Sequence, residues 1–94
     1  MTHEVPVDGE LDLHAFGPGD VRSIVEEYVR VAAEAGLTEV RLIHGRGTGV
    51  QRSIVHATLD RLSDVTDFWD APESHLGATI ARFSPRAKQL SSGG

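Results

Sequence analysis

Two short stretches set proton-handling and anion-gripping residue types close to the ends of apolar runs. In GELDLH, residues 9–14, Asp12 and His14 are two apart in an alternating apolar and polar segment, so both project from one face of a strand. A neutral imidazole takes or gives a proton near pH 7, and a neighbouring carboxylate can orient it, position water or hold a divalent cation. In IHGRGTG, residues 43–49, His44 is followed by Gly45, Gly47 and Gly49, with Arg46 and Thr48 between them. Each glycine costs conformational entropy. A loop that leaves a strand and enters a helix offsets that cost if it lets an oxyanion approach backbone N–H groups at the positive end of the helix dipole. Arg46 adds a planar fork suited to phosphate oxygens, and Thr48 can cap the helix or donate its hydroxyl. Neither the P-loop nor the dinucleotide fingerprint fits, since the pattern here is G-x-G-x-G after a second strand. Turn formation alone is the plainer reading, but three alternate glycines around an arginine exceed what a turn requires.

Charge sharpens that picture. The chain has 94 residues and a net charge of −5, which by itself argues against a polyanionic partner. Between Glu39 and Asp60, however, there is no acid, and the interval holds Arg41, Arg46 and Arg52 with His44 and His56. The glycine-rich stretch therefore lies in the one clearly cationic segment. No cysteine is present, which excludes disulfides, thiolate nucleophiles and Cys-based zinc sites and is compatible with a reducing cytosol. The start, MTHEVPVDGELDLH, has no basic segment followed by an apolar one, and no stretch approaches the roughly 20 apolar residues of a membrane span. A soluble, cytoplasmic chain with no membrane contact is the expectation.

The elements that must position these residues can be read from periodicity. GELDLH is a short strand, and FGPGD is a turn signal. Val21, Ile24, Val25, Tyr28, Val29 and Ala32 then form the stripe of an amphipathic helix, stopped by Gly36 as a left-handed C′ residue. EVRLIH is the second strand. From Val50 to Leu62 a second helix sets Ser53, His56 and Asp60 against Ile54, Val55, Leu59 and Leu62. VTDFWDA, closed by Pro72, is a third strand and GATIARF a fourth, joined by PESHLG, a connection suited to an antiparallel pair. The expected fold class is α/β, a two-layer β-α-β-α-β-β sandwich with two helices and a four-stranded mixed sheet. Two crossovers are long enough to make parallel neighbours. Residues 1–9 form an N-terminal extension, 10–84 the domain, and 85–94 a small, polar tail expected to be flexible. Right-handed crossovers put the carboxyl ends of the first two strands at one edge of the sheet, where ligands of open α/β sheets usually sit. That edge brings Asp12, His14 and His44 to the glycine loop.

Other candidates are weaker. Asp12, His14 and His44 suffice for a weak Mg²⁺ or Mn²⁺ site but show no tight ligand spacing, so no metal is assigned. His3, His56 and His75 read as solvated surface residues. Phe68 and Trp69 are adjacent on a strand, so only one of them can face the core; packing under a helix is favoured over stacking on a nucleobase.

LDLH, EVRLIHGRGTG with its following helix, FWDAP and GATIARF together resemble the Smr domain, the small MutS-related module, over roughly residues 10–84. The resemblance implies a β-α-β-α-β-β sandwich similar to the C-terminal domain of a bacterial translation initiation factor, and an activity in nicking or cleaving DNA, or in RNA cleavage. The family's LDLH signature falls on Leu11, Asp12, Leu13 and His14, and its HGxG signature on His44, Gly45, Arg46 and Gly47. Members often carry threonine in place of the first residue of HGxG, which favours Asp12 and His14 over His44 for proton transfer. The expectation is a nucleic-acid-binding domain, DNA or RNA, with weak endonuclease activity. Asp12, His14 and His44 would be catalytic; Gly45, Arg46, Gly47, Thr48 and Gly49 would grip the substrate, with Arg22 and Arg52 as backbone-phosphate contacts. A monomer is expected, and no cofactor beyond Mg²⁺ or Mn²⁺ is implied. The rival readings are a non-catalytic module for branched or single-stranded nucleic acid and a binder of a small phosphate or nucleotide.

Overall fold

A computed structural model describes residues 9–45, 49–72 and 77–84. The elements are β1 (Glu10–Asp12), α1 (Pro18–Glu34), β2 (Glu39–Ile43), α2 (Val50–Arg61), β3 (Val65–Asp70) and β4 (Ala78–Phe83). The strands form one sheet in the order β1-β2-β4-β3, with β1 and β2 parallel and β4 antiparallel to both of its neighbours. The two helices pack on one face of it, which is the mixed-sheet sandwich expected.

The second crossover departs from expectation. α2 returns the chain so that β3 runs in the same direction as β2, but β4 lies between them and the two are not neighbours. Burial explains the order. Ala78, Thr79, Ala81 and Phe83 make β4 the apolar strand suited to the interior of the sheet, whereas β3 has exposed Thr66, Asp67 and Asp70 and tolerates an edge. The boundaries of the first elements also shift. β1 ends at Asp12, although the Leu13 N–H still donates to the Ile43 carbonyl at 2.7 Å, and His14 opens a turn. Within FGPGD the helix already begins: Gly17 is the N-cap, Pro18 brings its fixed φ to the first turn and Asp20 complements the helix dipole there. Gly36 ends α1 at φ +93°; its N–H bonds the Ala33 carbonyl and that of Leu37 bonds Ala32, the two bonds of a Schellman motif.

Alternation along the strands sorts the faces. Val40, Leu42, Ala81 and Phe83 meet Val21, Val25, Val29, Val55 and Leu59 of the helices in one buried core, with Leu13 at its β1 end. Each of the larger side chains contributes about 1.5–3 kcal/mol on burial. The opposite face carries Ile43, Ala71 and Ala78 as a small buried cluster with Ile80 beside it. Phe68 packs toward the helices, its ring 5.1 Å from that of His56 and edge-on to it. Trp69 takes the other face, under the Arg82 guanidinium at 5.4 Å.

Candidate functional site

Where β1 and β2 end, the chain turns twice toward the helices, and a cleft of about 410 Å³ opens between those turns and the start of α2. His14, Pro18, His44, Gly45, Gly49, Val50, Gln51 and Arg52 line it. A second hollow of about 330 Å³ shares His44, Gly45, Gly49 and Arg52 and continues to Asp70 and Gly77. The Gln51 side-chain amide donates to the Phe16 carbonyl, tying the first turn of α2 to the turn that precedes α1. The parallel pairing of β1 with β2 thus brings His14 and both ends of the glycine loop to one opening, as the topology argument expects.

Arg46, Gly47 and Thr48 lie outside the described residues, so the structure describes the loop at its two ends. Gly45 has φ +86° and Gly49 φ +88°, a region that an L side chain rarely adopts. Both glycines are therefore demanded by the backbone itself, whatever binds. The Gly45 N–H, together with that of His44, donates to the Gly77 carbonyl at 3.1 and 3.0 Å. Gly45 accordingly fixes the root of the loop to the end of the β3–β4 connection instead of offering its amide to an anion. Gly49 is the N-cap of α2 and has no side chain to cap with. The capping position foreseen for Thr48 belongs to Gly49.

His14 and Asp12 form the first chemical unit. Asp12 Oδ1 accepts from the His14 backbone N–H at 3.0 Å and meets His14 Nδ1 at 2.5 Å, so a short local turn fixes the ring. These two hydrogen bonds, the backbone one first, hold the Asp12 carboxyl below the usual carboxylate range. An ionised carboxylate only accepts, so Nδ1 carries a proton and, in the neutral ring, Nε2 keeps its lone pair. The side chains are 67% and 49% exposed, which leaves Nε2 able to meet a reactant. His14 lines the cleft and Asp12 supports it from behind.

His44 sits in a different environment. It is 7% exposed, with Nδ1 3.0 Å from the Gly45 carbonyl and Nε2 2.9 Å from Thr79 Oγ1. Thr79 is fully buried on β4, and its hydroxyl also lies 3.0 Å from His56 Nε2 and 3.3 Å from Asp70 Oδ1. His56 Nε2 approaches Asp70 Oδ1 at 3.0 Å. Asp70 takes Arg52 through two N–H groups, Nη2 to Oδ2 at 2.5 Å and Nε to both oxygens at 3.1 and 3.2 Å. The Arg52 hydrogen bond is the largest influence on Asp70 and brings its pKa to about 2. His56 is thus not the solvated residue that its place on the helix suggests. It is half-buried because the polar side of α2 leans over β3 and β4. Asp70, His56 and Thr79 were not among the sequence candidates. The only available signal was the alternation that puts Phe68 and Asp70 on one face of β3.

The remaining candidates separate. Arg52 lines the cleft but is already paired with Asp70, so the acid-free interval in sequence is partly neutralised from another strand. Arg22 pairs with Glu26 one turn along α1 at 3.2 Å and does not line the cleft. Among the described residues no group of three or more His, Asp or Glu side chains could hold a metal ion. Asp12, His14 and His44 are therefore not gathered into one three-ligand set.

No helix among the described residues is long and apolar enough to cross a membrane. The crystal structure of the Smr domain of Thermus thermophilus MutS2 superposes with a TM-score of 0.75 at 32% identity, covering 81% of this chain and 98% of that one. YdaL, a stand-alone small MutS-related protein from Escherichia coli, superposes with a TM-score of 0.75 at 26% identity, covering 84% of this chain and 66% of that one. Endonuclease MutS2 of Agathobacter rectalis is 31% identical over 85 residues, which is 88% of this chain and 11% of that protein. The chain spans about a tenth of the length of the curated relatives it matches. Residues 11–83 match the Smr domain family. With its fold and its two motifs at one cleft, the chain belongs to that family.

Proposed function

We propose that this domain binds nucleic acid across the cleft and hydrolyses its phosphodiester backbone slowly. The observation that carries the reading is the Asp12–His14 pair, oriented and solvent-accessible, in the same opening as the ends of the glycine loop and Arg52. His14 Nε2 accepts the proton of the attacking water as its oxygen bonds to phosphorus. The ester P–O bond breaks, the leaving oxygen takes up a proton from solvent, and the His14 imidazolium returns its proton to solvent. Asp12 keeps the ring in the tautomer this needs and stabilises the imidazolium that forms. Arg46 and the amides at the helix end of the loop grip the phosphate. Arg52 gives two of its five N–H groups to Asp70 and lines the cleft, where the remaining donors supplement that grip.

The rival reading is a non-catalytic nucleic-acid-binding module. It is favoured by the exposure of His14, since a general base is usually tuned by a more enclosed site. Nicking of supercoiled plasmid and cleavage of structured RNA, each with and without Mg²⁺ or Mn²⁺, separate the two. The wild type should cut and the Asp12→Ala, His14→Ala double variant should bind without cutting. Equal cleavage by both discredits the catalytic pair, and binding without cleavage under every condition favours the module.

A further inference from the structure

The side chains around His44 obey a strict proton count. The Gly45 carbonyl can only accept, so His44 Nδ1 carries a proton and, in the neutral ring, Nε2 does not. Asp70 is ionised and likewise only accepts, so His56 Nε2 carries a proton. Thr79 has one hydroxyl proton and two candidate takers. The 2.9 Å contact to His44 Nε2 takes it in preference to the 3.3 Å contact to Asp70. One arrangement then satisfies every group: Arg52 and His56 donate to Asp70, His56 is shared with the Thr79 oxygen, Thr79 donates to His44, and His44 donates to Gly45. The chain of bonds crosses α2, β3, β4 and the end of β2, and it terminates at the backbone where the glycine loop begins.

We propose that Asp70, His56 and Thr79 are positioning residues, which lock His44 as its Nδ1–H tautomer and hold Arg52 against Asp70 in the lining of the cleft. His44 in turn holds the Gly45 carbonyl at the root of the glycine loop and carries no proton to or from the substrate. Both of its nitrogens are committed to the protein and its ring is buried, unlike His14. Gly45 is held from both sides, its carbonyl by His44 and its N–H by Gly77. Holding that root fixes where a phosphate bound beyond it sits relative to His14, a positioning effect that acts on turnover more than on affinity. The positioning of substrate rests on the nucleic-acid reading above; the hydrogen-bond network itself does not.

Long-range ¹H–¹⁵N spectra of histidine-labelled protein test the network directly. In the wild type His44 should show a protonated Nδ1 and an unprotonated Nε2. Thr79→Val removes the hydroxyl at constant shape and should shift both ring nitrogens, while Thr79→Ser should keep the wild-type pattern. In uniformly ¹⁵N-labelled protein the wild type should show a protected Arg52 Nε–H signal, and Asp70→Asn, at a half-exposed site, should abolish it. A wild-type His44 protonated on Nε2, or ring signals unmoved by Thr79→Val, overturns the network. With an oligonucleotide substrate, Thr79→Val should lower turnover at saturation about tenfold and change Kd less than about threefold, and Thr79→Ser should restore turnover. Unchanged turnover in Thr79→Val overturns the positioning role. A wild type that leaves every oligonucleotide intact defeats the proposed hydrolysis alone, and the ring signals still decide the network.

Discussion

His14 and His44 each stand in a short motif at the end of a parallel strand, and each lines the same cleft, yet their ring nitrogens are committed differently. His14 is exposed, with one nitrogen held by Asp12 and the other available. His44 is buried, with both nitrogens bound to neighbouring groups of the protein. The difference teaches that residue type and motif membership do not distinguish an available ring nitrogen from a committed one. Burial and the count of donors and acceptors do.

Kinetics should give the largest contrast. His14→Ala is expected to lower cleavage by about 10²–10⁴-fold, the usual worth of a general base, with Kd for an oligonucleotide little changed. His44→Gln should retain turnover within about tenfold of wild type, since it removes a support and not a proton path. Comparable losses from both variants would erase the distinction. Stability should invert the order. Thr79→Val leaves the buried His44 Nε2 without its donor and should cost about 1–3 kcal/mol in urea unfolding. Asp12→Asn, at the solvent-exposed pair, should leave the unfolding midpoint unchanged within error.

Acid titration offers a smaller, signed test. The folded-state pKa of Asp70 is depressed from 3.8 to about 2, so its contribution to stability is fully present above about 3.8 and is lost as pH falls through about 2. Because the carboxylate is 45% exposed, solvent screening limits that contribution to at most about 1 kcal/mol. Asp70→Asn should flatten the stability profile over that window and leave it parallel to wild type above it. The smallest effect belongs to the arginines. Arg46→Ala should weaken binding and reduce the salt dependence by about one counterion. Arg22→Ala should leave that slope unaltered, because Arg22 pairs with Glu26 away from the cleft.

Much of this was legible beforehand for identifiable reasons. The 3.6-residue stripe of α1 and the Gly36 stop are local signals, and local hydrogen bonding realises them in a Schellman end. The convergence of LDLH and HGxG followed from the first crossover, since a helix between two neighbouring strands leaves β1 and β2 parallel. The position of β4 between β2 and β3 was not legible, because a hairpin specifies the pairing of its own strands and says nothing about the other side of either. His56 was misjudged for a related reason: its helix face is polar by pattern, but the groups it meets lie 14 and 23 residues away on β3 and β4.

By itself the sequence determined the order and type of the elements and the apolar stripe of α1 that packs on the sheet. These follow from periodicities and backbone sterics that act within a few residues. Only the tertiary structure decided which polar groups share protons and which charges cancel. Arg52 and Asp70, or His44 and Thr79, become partners through distances that depend on how the sheet is ordered and how α2 lies across it. Hydrogen bonds are short-ranged and directional, so no spacing along the chain can specify them before the layers are packed.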